Sequence, residues 1–120
     1  MNPAADTITL GQVAHARSGD KGNHANVGVA AYTAAGFEFL KRELTTQRVR
    51  DFFDSLSPTR VERFELPKLF AFNFLLYNAL AGGASQSLRI DTQGKLLGTA
   101  ILELSLPRPE NLRELERPLD

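Results

Sequence analysis

The sequence contains no cysteine among its 120 residues. Disulfides, thiolate nucleophiles and thiolate metal ligands are therefore excluded, and this composition suits a reducing compartment. The first residues have neither the basic start nor the apolar run of a secretory signal, so the chain reads as mature. We expect a cytoplasmic protein.

An excess of charge is also lacking, because fourteen Lys and Arg residues balance fourteen Asp and Glu residues. No basic stripe could neutralise several phosphates, and we predict that nucleic acid is not a partner. The longest apolar stretch, Leu69 to Ala81, is interrupted by Asn73 and Asn78 and is shorter than the ~20 residues that span a bilayer. We therefore expect no membrane association, and interpret this stretch as part of a buried helix that has Pro67 in its first turn and ends at Gly82-Gly83.

The length of 120 residues is enough to enclose one hydrophobic core without disulfide or metal support. We predict one domain over residues 1–107 and a C-terminal arm over residues 108–120, where prolines and charges concentrate. Within the arm, Leu112 and Leu115 indicate a short amphipathic turn that docks on this subunit or on another.

Hydrophobic periodicity predicts an α+β fold with a mixed or antiparallel sheet of four to five strands and two main helices on one face. Besides the buried helix, the predicted elements in chain order are a strand over 8–15 with an irregularity near Gly11, a polar connection over 17–26, a strand over 27–31, helices over 37–44 and 49–56, a strand over 60–66, and a closing hairpin of 88–90 with 100–106.

The polar segment Arg17 to Asn26 is the strongest candidate for a functional site. Its two glycines make the backbone adaptable, and Arg17, Lys21 and nearby N–H groups could surround an anion. The same composition is typical of a solvated strand connection, which the spacing alone favours.

Individual residues of this segment each allow two interpretations. Asp20 beside Lys21 offers a base and an electrostatic stabiliser, although adjacent side chains commonly point apart and both can simply be hydrated. Asn23 and Asn26 could donate hydrogen bonds to a carbonyl or carboxylate, or could cap turns and strand ends.

Two further constellations are weaker. His15, Asp20 and His24 follow no regular ligand spacing, so we predict no metal site. Ser18 with a histidine and Asp20 has the ingredients of a hydrolytic triad, but the sequence lacks a nucleophile elbow. Elsewhere, three polar residues that interrupt the apolar stretch could line a pocket or make hydrogen bonds within the core; they are Asn73, Tyr77 and Asn78. The turn after the glycine pair is a second candidate for ligand contact, through Ser85, Gln86, Ser87 and Arg89.

The run from Ala14 to Asn23, followed by Asn26-Val27-Gly28-Val29, resembles the C-terminal domain of the acyclic terpene utilisation protein AtuA family. Further matching segments occur in that family's order and extend the similarity to approximately residues 13–107; they are Glu65-Leu66-Pro67, Asn73-Phe74, Ala79 to Gly83 and Ser87-Leu88-Arg89. The resemblance implies a ferredoxin-like two-layer sandwich. It also implies a connection with the breakdown of terpene-derived or other branched acyl compounds as CoA thioesters.

Longer relatives in that family carry a large preceding domain, for which this chain has no room. We therefore expect a separately encoded small subunit that docks on an AtuA-like large chain. In our leading hypothesis Asp20 and Lys21 are catalytic, Asp20 assisting proton transfer, while a substrate carboxylate or thioester is bound by Arg17, Ser18, Asn23 and Asn26. We expect no cofactor.

Two alternatives remain open at this point. The same loop could hold a small anion or a CoA phosphate in a noncatalytic binding module that regulates or stabilises a partner. The protein could also be a structural homo-oligomer that buries its sheet and arm against a second copy.

Overall fold

The computed structural model of the protein describes residues 6–79 and 95–118. Three features predicted from the sequence lie outside these ranges, namely the Gly82-Gly83 pair, the polar turn over 85–89 and the strand over 88–90. Within the described ranges, none of the helices has the length and apolar character needed to cross a bilayer.

The described residues form six strands, four α-helices and three short 3-10 turns. The strands are β1 (Thr7–Thr9), β2 (Ala14–Lys21), β3 (His24–Ala31), β4 (Arg60–Leu66), β5 (Ala71–Tyr77) and β6 (Ser105–Pro107). The helices are α1 (Ala34–Glu43), α2 (Thr46–Phe52), α3 (Lys95–Ile101) and α4 (Leu112–Leu115), and the 3-10 turns are Leu10–Gln12, Asp54–Leu56 and Pro67–Leu69.

The predicted α+β, ferredoxin-like class is confirmed. A four-stranded antiparallel sheet has the order β2-β3-β5-β4, and β1 pairs with β6 in a separate two-stranded antiparallel sheet. One face of the larger sheet carries the core, where the Phe72 ring stacks on Phe37 of α1 at 4.8 Å between ring centroids. Val27, Phe74 and Leu76 are fully buried on the same face.

The helices predicted over 37–44 and 49–56 correspond to α1 and α2, and each begins at a threonine cap. The Thr33 hydroxyl accepts from the Gly36 N–H at 2.9 Å, and the Thr45 hydroxyl accepts from the Arg48 N–H at 3.1 Å. Thr33 also donates to the Glu114 carbonyl at 2.7 Å. With Leu115 fully buried, α4 therefore docks on α1 of this same chain.

The prediction of one strand over 8–15 is wrong, because β1 and β2 belong to different sheets. Leu10 and Val13 are fully buried, and the 3-10 turn between the strands lets both side chains reach the core. The irregularity does fall at Gly11, where a Cβ would lie 3.3 Å from the Cβ of Leu102 and the N–H donates to the Leu102 carbonyl at 2.9 Å.

The predicted buried helix over 69–81 is also wrong, since this segment contains β5, an interior strand of the sheet. Burial alternates along it: Phe72 and Phe74 are fully buried, whereas Asn73 and Leu75 are only half-buried on the opposite face. A strand with apolar residues on both faces has no clear period of two, so its sequence cannot be told from a buried helix.

The predicted closing hairpin is wrong in its second arm. Ala100 and Ile101 end helix α3, and the short strand β6 pairs with β1. Leu97 and Ile101 are both buried and lie four residues apart, which is the spacing of one helix face. In the sequence, the alternation of the neighbouring leucines concealed this spacing.

Candidate functional site

The predicted connecting loop over 17–26 is in fact a β-hairpin with a two-residue turn. Strand β2 continues to Lys21, β3 begins at His24, and Gly22 and Asn23 form the turn. Gly22 has φ 63°, a conformation that side chains disfavour and that two-residue hairpin turns require at this position. The end of β2 carries polar residues or glycine on both faces, so it shows no alternation and looks like a loop in sequence.

The strand alternation divides the predicted site residues between the two faces of the sheet. Arg17 pairs with Gly28 and Asn26 pairs with Gly19, which places both on the face opposite the core. We call this surface the open face. Ser18 and Asp20 pair instead with the buried residues Val27 and Ala25, and so belong to the core face. The structure therefore brings Arg17 and Asn26 to one side and leaves Ser18 and Asp20 on the other.

The remaining predicted residues lie at the tip of the hairpin or hold the hairpin against helix α3. Lys21 ends β2 and pairs with His24, and Asn23 is an exposed turn residue. The Ser18 hydroxyl accepts a hydrogen bond of 2.6 Å from the Gly98 N–H of α3. Ser18 thus fixes a helix against β2, while Asp20 is exposed near the strand end.

The two histidines lie far apart on the open face. His15 pairs with Ala30 near the start of β2, whereas His24 begins β3 at the hairpin tip. The two histidine positions are six residues apart along the paired strands, which corresponds to about 20 Å. In the parts of the chain that the structure describes, no group of three His, Asp or Glu side chains is placed to hold a metal ion.

A groove of about 210 Å³ runs across the open face beside Arg17. Its walls include His15, Arg17, Asn73 and Leu66, and its floor is formed by the small residues Gly28, Ala30 and Ala71. The register sets Arg17, Gly28, Asn73 and Phe64 side by side across the four strands. The groove exists because the inner strands carry short side chains where the outer strands carry long ones.

The charge around this groove is positive. Arg17 is exposed, and no carboxylate within the described ranges forms an ion pair with it. Among the positions of the four strands that face this side, the one acidic residue is Glu62, which pairs with Arg60 at 2.7 Å. An anion at the groove would therefore meet an uncompensated guanidinium.

A polar network that sequence reasoning missed occupies the opposite end of the open face. The Tyr77 hydroxyl donates to Glu62 at 2.7 Å, and the Arg60 guanidinium lies 4.7 Å from the centre of the Tyr77 ring. The His24 ring packs edge-on against Tyr77 at 5.3 Å, and its Nδ1 accepts from the Asn78 N–H at 2.9 Å. Assigning residues 69–81 to a helix hid this cluster, because only the strand register brings Tyr77 beside Arg60.

The network shifts two ionisable groups. The hydrogen bond from Tyr77 holds the pKa of Glu62 below its ordinary value, and the Arg60 side chain acts in the same direction. The same bond raises the pKa of Tyr77, because losing the phenol proton would place two negative oxygens together. Both effects keep the pair in its hydrogen-bonded form at neutral pH.

An apolar patch adjoins the groove at the β4 edge of the sheet. Phe64 and Leu66 on β4 and Leu69 on the following turn are 45%, 43% and 67% exposed. Contiguous exposed apolar side chains of this kind mark surfaces that contact other molecules. The open face therefore combines a cation, amides and an apolar patch, an arrangement suited to binding and orienting a ligand or partner.

A comparison with protein families identifies the chain. Residues 8–107 match the AtuA ferredoxin-like domain family. The protein belongs to this family. No curated protein and no solved structure matches the chain. The range that matches the AtuA ferredoxin-like domain begins within β1 and ends with β6, so it includes all four strands of the open face.

Proposed function

We propose that this protein is the small subunit, or accessory domain, of an AtuA-like catabolic protein that acts on branched or terpene-derived acyl compounds and their CoA thioesters. The open face is its working surface. The observation that carries the proposal is that Arg17 and Asn26, both from the segment that resembles AtuA, lie together on this face.

The apolar patch supports docking on an AtuA-like large chain. Phe64, Leu66 and Leu69 expose apolar area on an edge strand and its connecting turn, and water is released when a partner covers such a surface. The patch and the groove share Leu66, so a partner that covers the patch also closes one side of the groove.

In this proposal the open face positions the acyl compound. Arg17 attracts the anionic group, while the amides of Asn26 and Asn73 orient a carbonyl or carboxylate oxygen. Asp20, Lys21 and Asn23 lie towards the hairpin tip, where they act only on a group held between this chain and its partner. Assistance to proton transfer by Asp20 therefore requires the assembled complex.

Affinity purification from the native host tests the proposal. The baits are the wild-type chain, a Phe64→Asp/Leu66→Asp variant that disrupts the apolar patch, and a Glu38→Lys control on the exposed side of α1. We expect mass spectrometry to identify an AtuA-like large chain with the wild-type and control baits and to find it depleted with the patch variant. Recovery of no such chain, or equal recovery by all three folded baits, contradicts the proposal.

A noncatalytic binding module is the second candidate. It is favoured by the division of the predicted site, because Asp20 lies on the core face while Arg17 and Asn26 lie on the open face. The Asp20→Asn variant separates the two functions. If the variant binds ligand and partner normally but the complex loses turnover, the noncatalytic function is excluded; unchanged turnover supports it.

A further inference from the structure

We propose that the groove on the open face binds a small monocarboxylate with an apolar body, its carboxylate held by Arg17 and its hydrocarbon part lying over Gly28 and Ala30 towards Leu66. This inference deepens the proposed function by naming the free acid as the ligand, and the metabolic role of that ligand rests on the proposed function. The binding itself involves this chain alone.

The charge distribution selects the head group. The arginines on β4 already have carboxylate partners, since Arg60 pairs with Glu62 at 2.7 Å and Arg63 pairs with Glu65 at 3.1 Å. Arg17 has no such partner among the residues that the structure describes. A guanidinium binds a carboxylate through two parallel hydrogen bonds, and this planar match is lost in a thioester, which carries no charge at the carbonyl.

The walls of the groove select the rest of the ligand. Ala30, Ala71 and Leu66 present hydrocarbon along the side that leads away from Arg17. A groove of about 210 Å³ has the volume of about seven water molecules, which matches a carboxylic acid of about six carbons. The nucleotide part of CoA is larger than this groove and would have to lie outside it.

Packing does not require the absence of a side chain at Gly28, in the floor of the groove. A Cβ on Gly28 would lie 3.8 Å from the Arg17 carbonyl oxygen and 3.9 Å from Asn73 Oδ1, both ordinary contacts. The fold therefore tolerates a side chain at a position where glycine weakens a strand. Glycine at such a position keeps the floor of the groove open for close approach by a ligand.

The experiment is a titration of the full chain with hexanoate, followed through the backbone amide signals in NMR. Hexanamide, inorganic phosphate and hexanoyl-CoA are the comparison probes. The variants are Arg17→Gln, which removes the cation, and Gly28→Val, which fills the floor. Gly19→Val is the matched control, because Gly19 lies on the same face outside the groove and a Cβ there meets nothing within 4 Å.

Saturable shifts centred on Gly28 and Ala30 are expected with hexanoate. Arg17→Gln should weaken binding at least about ten-fold, Gly28→Val should abolish it, and Gly19→Val should leave it unchanged. Hexanamide, phosphate and hexanoyl-CoA should each bind more weakly than hexanoate.

Four results would overturn the inference: no saturable binding of hexanoate, equal binding of hexanamide, tighter binding of phosphate or hexanoyl-CoA, or unchanged binding to folded Gly28→Val. If that variant does not fold, Arg17→Gln, a change of an exposed side chain, decides in its place. Because the titration contains no partner chain, its failure is distinct from a failure to recover an AtuA-like large chain.

Discussion

The Gly98 N–H donates a hydrogen bond of 2.6 Å to the Ser18 hydroxyl, and this contact holds α3 directly against β2. The approach is so close that a Cβ on Gly98 would lie 2.9 Å from the carbonyl carbon of Arg17 and from the Ser18 nitrogen. Strand β2 is therefore fixed from the core face at the point where Arg17 extends from its open face.

Gly98→Ala is expected to destabilise the protein by about 1–3 kcal/mol, because the added methyl group overlaps backbone atoms that cannot move independently. This direction is opposite to the gain of about 1 kcal/mol that alanine gives over glycine in an unconstrained helix. Urea unfolding measures the difference. Gly19→Ala, where a Cβ meets nothing within 4 Å, is the control, and a more stable Gly98→Ala protein contradicts the packing described.

Substitutions along β5 test its assignment as a strand. Phe74→Ala removes a fully buried side chain and should cost about 3–5 kcal/mol, whereas Leu75→Ala removes a half-buried side chain from the open face and should cost about 1 kcal/mol. Free energies of unfolding from chemical denaturation provide the comparison. Equal losses for the two neighbours are inconsistent with the alternation of a strand.

Arg63→Ala is expected to cost about 1–2 kcal/mol, because one guanidinium nitrogen donates to the carbonyls of Leu44 and Lys41 at the C-terminal end of α1. Removing it leaves those carbonyls without this donor. Arg60→Ala is the comparison, since its ion pair is exposed and should contribute at most about 1 kcal/mol. Thermal unfolding of both variants checks the order, and the account is wrong if Arg60→Ala is the more damaging.

Tyr77→Phe should raise the pKa of Glu62 towards its ordinary value, because the phenol hydrogen bond is the largest cause of the lowered pKa. A carboxyl whose pKa is lowered on folding adds stability above its unfolded pKa and loses it as pH falls through the folded value. The stability difference between wild type and Tyr77→Phe should therefore shrink in acid. Carbon-13 NMR titration of the Glu62 carboxyl measures the pKa, and an unchanged value refutes the assignment.

The sequence predicted those elements whose local signals agree with their tertiary surroundings. Helices α1 and α2 have both a hydrophobic stripe and a threonine cap, and β4 lies between two prolines, Pro58 and Pro67. It failed where tertiary packing decides between two local patterns. Residues 71–77 have apolar side chains on both faces, with Ala71 and Leu75 on the open face and Phe72, Phe74 and Leu76 on the core face, and such an apolar run is equally compatible with a helix.

The arrangement of the predicted site residues could not be derived from the sequence. The segment 17–26 does carry Arg17 and Asn26 to the open face, but a loop has no faces, so the separation of Asp20 and Ser18 from them was not predictable until the strand was recognised. The groove and the Tyr77 network depend on the register of β3, β4 and β5, which sequence spacing does not contain.

The most direct test of the open face as the working surface is a titration of this chain with a purified AtuA-like large chain, comparing wild type, Leu66→Asp and the Glu38→Lys control. We predict that Leu66→Asp weakens the complex at least about ten-fold, because it places a charge in an apolar contact, while the control binds as wild type does. Equal affinity of all three proteins, with each shown to be folded, would show that the open face is not the surface that binds the large chain.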